Sequence, residues 1–289
     1  MKEICCVGHI TLDKVTTPKN TVFMPGGTAF YFSHAVRHFD DLDYLLVTAV
    51  GAPERIVTEA LEAQGLDVIV IESPASVFFE NIYGADSNER KQRVWAKAAS
   101  FRAEDMLSVE SKIFHLGALL ADDFSLDVVR NLAGKGLVSV DSQGYLREVR
   151  DTRVHAIDWQ DKLEALRYVH FLKANEYEME VLTGYKDARQ AALRLHEWGV
   201  HEVILTFGSE GSLIYDGSQF YDIPAYPPSE TIDATGCGDT YMAGYLYRRV
   251  KGASIVEAAH FAAALSTLKI QRSGPVDASV ADVLEIIRH

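Results

Sequence analysis

The chain moves between two hydrophobic rhythms. Short, nearly continuous apolar runs stand at EICCVG (3–8), YLLVTAVG (44–51), VIVIES (68–73), IFHLGAL (113–119), LVSVDSQG (137–144), YVHFLKAN (168–175) and EVILTFG (202–208). Runs of this kind, several ending in Gly, Asp or Asn, predict strands buried on both faces. Between them, apolar residues recur at helical spacing over roughly 27–39, 53–64, 125–133, 161–167, 176–183, 187–198, 239–251, 254–270 and 279–288. Such alternation predicts a mostly parallel sheet with helices on both faces. One stretch departs from it. SVFFENIYGADSNERKQRVWAKAAS (76–100) alternates on either side of GADSNER and predicts a hairpin or a pair of edge strands. No repeat, low-complexity tract or Pro/Gly/Ser linker interrupts the pattern, so the 289 residues (1–289) read as a single domain.

Charge and cysteines narrow the function classes. A formal charge of −13 argues against nucleic acid, whose binders need a basic face. Phosphorylated ligands stay open, because backbone amides and a metal ion can supply positive potential. Cys5, Cys6 and Cys237 form no CxxC pair or Cys/His cluster, and the ten histidines show no metal spacing. The N-terminus MKEICCVGHI is too short and too polar at its ends for a signal peptide, and no run approaches membrane-spanning length. The expectation is a reducing, cytoplasmic setting with neither membrane nor nucleic-acid partner.

TIDATGCGDTYMAGY (231–245) carries the chemistry. Gly236, Cys237 and Gly238 form a glycine-rich turn, and Asp239 opens a helix with Met242, Tyr245, Leu246 and Val250 as its expected buried side. Amides converging at a helix N-terminus make a nest for a phosphate or a developing oxyanion. A carboxylate beside the nest could take a proton from a substrate hydroxyl. It could equally be an N-cap, and on chemistry alone the cap is the better reading. There is no GxxxxGK[ST] and no GxGxxG in a first βα turn, so neither a P-loop nor a dinucleotide fold is supported.

DATGCGDTYMAGYL (233–246) resembles the C-terminal signature of the ribokinase-like, PfkB-type carbohydrate kinases, of the form D-T-x-G-A-G-D-x-F-x-x-G. Cys237 stands at the usual alanine and Tyr241 at the usual phenylalanine. The likeness runs along the chain in order. VGHITLD (7–13) is similar to the family's first strand with its sugar-contacting aspartate, which falls on Asp13. PGGTAFYFSHAV (25–36) resembles the Gly-Gly motif at Gly26 and Gly27, with Tyr31 nearest the place of an asparagine that many sugar kinases carry. LKANEYEMEVLTG (172–184) looks like the N-x-x-E segment, LTFGSEGSLIYDG (205–217) like the nucleotide-side strand and turn, and AAHFAAALSTLKIQRSG (258–274) like the helix and loop over adenine.

The resemblance implies an α/β, ribokinase-like three-layer αβα sandwich with a mostly parallel central sheet and a small β lid, its elements within 14–25 and 76–97. It implies ATP-dependent transfer to a hydroxyl of a small sugar or polyol, with Asp239 as general base and Gly236, Cys237 and Gly238 as the anion hole. Thr11, Asp13, Gly26 and Gly27 would contact the acceptor; Lys173, Thr206, Gly208, Gly211 and Ala263 the nucleotide. Glu178 and Asn175 would position Mg²⁺ through water, although N-x-x-E is also a capping-box pattern. Asp233 would adjoin a monovalent-cation site, making K⁺ a candidate cofactor, and a homodimer is an open assembly. Lys173 has a second reading as a solvated lysine. Asp13 has one as a turn former closing the first strand, and His9 is expected to be structural. Arg90, Lys91 and Arg93 read as a solvated edge that discourages strand pairing. A cysteine at a helix N-terminus raises the idea of a lowered thiol pKa and oxidation, against an inert thiol in alanine's place. GGTAFYFS, the short 14–25 interval, FHLGAL (114–119), VSVDSQGYLRE (138–148) and KQRVWAKA (91–98) together look like the myo-inositol kinase branch. A nucleoside kinase of the same fold, a non-catalytic sugar-binding relative and a donor other than ATP stay open.

Overall fold

The computed structural model describes residues 1–18, 20–83 and 90–288; the turn expected at 84–89 and the side chain of Arg90 lie outside them. Strands and helices are numbered in chain order. β1 (Lys2–Gly8) shows why the apolar runs are continuous. Ile4 and Cys6 face one hydrophobic core, while Cys5 and Val7, one residue over, face another. Side chains alternate across a strand, so a strand covered on both faces has no polar side to show.

The main sheet runs in the order β15 (Phe220–Ile223), β14 (Ser212–Tyr215), β13 (Glu202–Thr206), β12 (Val169–Asn175), β9 (Leu137–Asp141), β8 (Ser111–Gly117), β1, β4 (Tyr44–Val50), β5 (Asp67–Glu72). From β13 to β5 every pairing is parallel; β14 and β15 add an antiparallel edge. One core takes in α1 (Thr28–Val36), α7 (Cys237–Val250) and α8 (Ile255–Ile270), with α2 (Arg55–Ala63) and α9 (Val280–Arg288) at its margin. The other takes in α3 (Leu126–Ala133), α5 (Glu176–Thr183) and α6 (Ala188–Glu197), beside the short α4 (Lys162–Ala165). This is the expected three-layer αβα arrangement. Chain order reverses direction between β1 and β8, and ligands of such sheets bind in the crevice at the carboxyl ends of the strands beside that reversal.

A second sheet has the order β10 (Arg147–Arg150), β11 (Arg153–Ala156), β7 (Arg90–Ala96), β6 (Val77–Tyr83), β2 (Thr11–Thr16), β3 (Thr21–Gly26). It takes in residues 147–156 as well as the two stretches expected in the lid. The β10–β11 turn passes through Asp151 and Thr152, both at positive φ (48° and 65°), the two-residue hairpin geometry that usually announces itself with Asn-Gly or Gly. β7 is also interior, between β6 and β11. The basic run is therefore no free edge. Arg93 approaches Glu80 at 3.9 Å and lies over the Trp95 ring. Among the described residues no helix is long and apolar enough to cross a membrane.

Candidate functional site

Residue register gathers polar groups at the strand ends. Asp141 closes β9 beside Lys173 on β12, and Asn175, two residues further, lies beside Thr206 at the end of β13. Lys173 is buried, 4% exposed, with its Nζ 3.0 Å from Asp141 Oδ2 and 3.7 Å from Glu178 Oε2. The solvated reading of this lysine is therefore wrong. Burial works against its charge, but Asp141 and Glu178 more than compensate and hold the ammonium above its ordinary pKa. The two carboxylates are organised in turn. Asp141 Oδ1 accepts from the Gln143 amide at 3.0 Å. Asn175 and Glu178 form a reciprocal capping box on α5: the Glu178 amide donates to Asn175 Oδ1 (2.9 Å), and the Asn175 amide and Nδ2 donate to Glu178 Oε2 and Oε1 (2.8 Å each). Desolvation raises the Glu178 carboxyl, and Lys173 opposes it.

α7 starts two residues earlier than the sequence implies. Gly236 is its N-cap, in the left-handed region at φ 78°, which leaves Cys237, Gly238 and Asp239 as its first turn. Asp239 therefore cannot be the N-cap. A Cβ at Gly236 would also collide with the Tyr31 ring, so this position needs glycine twice over. The Cys237 amide donates to the Ala234 carbonyl at 3.2 Å, which removes it from the expected anion hole. The remaining first-turn amides have no intrahelical partner. A Cβ on Gly238 would lie 3.0 Å from Lys173 Nζ, so the buried ammonium stands directly behind the turn.

Asp239 faces this charge cluster. Its carboxyl pKa is pushed up to about 6, first by desolvation and then by Asp141; Lys173, a hydrogen bond from the Thr28 hydroxyl and Arg147 work in the opposite direction. Thr28 reaches it because β8 ends in Gly117, where any side chain would collide with Thr28. Asp141, Thr28 and Arg147 escaped the sequence reading. Asp141 carried a signal, an aspartate closing a buried strand; the others depend on how α1 and β10 close over the sheet.

The acceptor-side residues meet on the second sheet. Asp13 does not close β1; it lies on β2, where Thr11 donates to Asp13 Oδ1 at 2.7 Å. Gly26 packs against the other oxygen, Asp13 Oδ2, and Gly27 packs on the His9 carbonyl and Thr11. Tyr31 links this corner to the glycine turn. Burial raises its phenol pKa, with Asp233, Asp13 and Asp239 adding to the rise. His9 is fully buried, stacked on Phe101 with Nε2 3.4 Å from Asp123.

The expected nucleotide residues divide. Thr206 joins the strand-end row, and its neighbour Ser212 hydrogen-bonds Tyr241 of α7 at 2.8 Å. Gly208 and Gly211 form the turn that follows, closed by the Phe207 amide on the Gly211 carbonyl (2.9 Å). Ala263 lies on α8, where its carbonyl accepts from the Thr267 hydroxyl (3.1 Å). Cys237 faces α8, where Ser266 Oγ donates to its carbonyl (3.3 Å) and its own Sγ lies 4.0 Å from the Ser266 carbonyl. Desolvation pushes the thiol up to about 11 despite nearby Lys269, the reverse of an activated cysteine.

Comparison with known proteins fits this arrangement. Residues 1–281 match the pfkB family of carbohydrate kinases. A cytidine kinase of Thermococcus kodakarensis is 28% identical over 273 residues, 89% of this chain and 92% of that one. A pyrophosphate-dependent kinase in the ribokinase family, solved with a pyrophosphate analog and myo-inositol, superposes with a TM-score of 0.87 at 25% identity, covering 98% of this chain and 99% of that one. Arabidopsis thaliana ribokinase, solved with ribose and ATP, shares the fold with a TM-score of 0.82 at 21% identity, covering 100% of this chain and 99% of that one. With the family model matching residues 1–281, this chain belongs to the pfkB family of carbohydrate kinases and is a phosphotransferase.

Proposed function

We propose that this chain transfers the terminal phosphoryl group of ATP to a hydroxyl of a small polyol or sugar, with inositol the leading acceptor. The observation that carries the reaction is Asp239: a carboxylate in the first turn of α7, beside Thr28 and Lys173, with a pKa of about 6. Such a group is ionised at neutral pH yet basic enough to take a proton in the transition state. The acceptor hydroxyl passes its proton to Asp239, its oxygen bonds to the γ-phosphorus, and the bond to the bridging oxygen breaks as ADP departs. The amides of Gly238 and Asp239 and the Lys173 ammonium oppose the charge on the transferring group.

Ribokinase-family kinases that use ATP do so with Mg²⁺. Among the described residues no cluster of three or more His, Cys, Asp or Glu could hold a metal. Asp141, Asn175 and Glu178 offer hydrogen-bonded oxygens, a donor set that suits a hydrated Mg²⁺ carried in with the phosphates rather than a protein cage. Bound there, the ion would supply charge neutralisation at the phosphates.

Two features support a polyol. Tyr31 fills the place of an amide that many sugar kinases carry, which disfavours a furanose, and a similar structure was solved with myo-inositol. The cytidine kinase relative favours a nucleoside as the second reading. Phosphate-transfer assays over inositols, sugars and nucleosides, each with ATP and with pyrophosphate, test both halves. The highest kcat/KM is expected for an inositol with ATP. A preferred nucleoside overturns the acceptor, turnover with pyrophosphate alone overturns the donor, and no transfer at all overturns the reading.

A further inference from the structure

Lys269 is fully buried at the end of α8, 0% exposed, at a helical position four residues after the buried Leu265. Its Nζ donates to the Asp233 carbonyl at 2.8 Å and the Arg272 carbonyl at 3.3 Å, lies 3.6 Å from Asp233 Oδ2, and stands 5.9 Å from the centre of the Tyr31 ring. Asp233 is where the family resemblance puts a monovalent cation. The residues there do not fit a free one. The backbone carbonyls and the carboxylate that would coordinate it already surround an ammonium, and a second cation among them would meet like charge at contact distance.

We infer that Lys269 takes the place of a monovalent cation beside the glycine turn, so that activity and stability of this chain are independent of K⁺. A buried ammonium is costly unless oxygens compensate it, and these come from two separate segments. A lysine that only capped α8 would need the Arg272 carbonyl alone. Lys269 also grips Asp233, whose amide donates to the Ile270 carbonyl (3.2 Å) and whose Oδ1 accepts from the Thr235 amide (2.9 Å). The segment leading into Gly236 is thus tied to the end of α8 at both of its hydrogen-bonding edges. Lys269 is a positioning residue: it fixes the turn that holds the phosphates and touches no reacting atom.

The turnover arm of the test rests on the kinase reading; the stability arm does not. The wild-type protein is compared in KCl, NaCl, NH₄Cl and choline chloride at about 0.1 M, a level that equalises general screening. Tm and kcat are expected to be the same in all four. Lys269→Ala, which opens space for an ion, is expected to lose about tenfold or more in kcat in choline. K⁺ or NH₄⁺ should restore both its kcat and its Tm, because an ion that binds only the folded state stabilises it. Lys269→Met, which fills the space with apolar atoms, should stay impaired in every salt. A wild type several-fold faster or more stable in K⁺ than in choline overturns the inference. So does a Lys269→Ala variant that keeps full turnover in choline, or one that no cation restores. Should the alanine variant fail to fold, the wild-type arm decides on its own. Should no substrate be found, cation-dependent Tm of the alanine variant beside a cation-blind wild type supports the inference without turnover.

Discussion

Two buried lysines flank the same glycine turn and are compensated in opposite ways. Lys173 is held by two side-chain carboxylates, Asp141 and Glu178; Lys269 is held mainly by backbone carbonyls, of Asp233 and Arg272. The first pocket holds two side-chain carboxylates, which can turn toward a hydrated metal. The second holds one carboxylate oxygen, Asp233 Oδ2, 3.6 Å from the ammonium, beside two carbonyls that cannot move without the chain. One side of the turn is therefore suited to chemistry and the other to geometry. Asp239, on the first side, inherits its raised pKa from burial and from Asp141.

The largest expected effect comes from removing the charge of Asp239. Asp239→Asn should lower kcat by ~10²-fold or more while nucleotide binding is kept, because a general base contributes about that much. Stability should move the other way. The folded-state pKa of about 6 lies above the ordinary 3.8, so between those values the folded protein holds a proton that the unfolded chain releases. Stability contributed by this group is present below the lower value and is lost as pH rises toward the upper one. Asp239→Asn should therefore gain on the order of 1–3 kcal/mol at neutral pH and lose that part of the pH dependence. Wild-type kcat should fall as pH drops below about 6, where the base is protonated. Normal turnover in the asparagine variant, or a Tm below wild type at neutral pH, breaks the contrast between the two sides.

Lys173→Met attacks the chemical side directly. It leaves Asp141 and Glu178 facing each other in a buried site, and breaking such a pair costs ~3–5 kcal/mol. Both Tm and kcat should drop. Lys173→Met with Glu178→Gln should recover part of the Tm, since one unpaired charge is gone, without recovering kcat. Recovery of both would mean that the cluster is purely structural.

How much of this was legible in the sequence follows from the kind of signal each part emits. Among the described residues, the seven parallel strands of the main sheet and the nine α-helices declare themselves because burial on two faces or on one stripe writes a periodic apolar code. β2, β3, β10 and β11 do not, being short and mostly half-exposed, and the β10–β11 turn uses Asp151 and Thr152 where a glycine would have marked it. The same division runs through the site. Asp239, Glu178 and the glycine turn were readable from motif spacing. Arg147 and Thr28 act on Asp239 only after separate segments close over it. Lys269 had a trace, a lysine on the apolar stripe of α8, but its meaning depends on the Asp233 carbonyl, which no sequence pattern encodes.

Gly238→Ala probes the boundary between the pockets at lower amplitude. The new methyl would lie 3.0 Å from Lys173 Nζ and 3.4 Å from Cε, the flexible end of a side chain that can yield. Loss of stability should stay near ~1 kcal/mol, in line with a mild contact in a helical first turn. Donor binding should suffer more, with KM for the donor rising about tenfold as the methyl narrows the approach to the amides. If Tm collapses instead, Lys173 is clamped more rigidly than its two carboxylates imply.

The smallest effect is expected at the cysteine that interrupts the signature. The Cys237 amide is already committed to the Ala234 carbonyl, its Sγ has only a 4.0 Å approach to the Ser266 carbonyl, and its thiol is pushed up to about 11. Cys237→Ala removes one buried sulfur and keeps the backbone, so Tm should change by less than ~1 kcal/mol equivalent and kcat by less than about threefold. Peroxide should inactivate wild type and variant at the same slow rate, because the thiolate that reacts is scarce at neutral pH. Faster inactivation of the wild type would mean that Lys269, a cation acting on this sulfur, reaches it more strongly than the geometry gives. In that case the second pocket would do chemistry after all, and the division of labour across the glycine turn would fail at its smallest side chain.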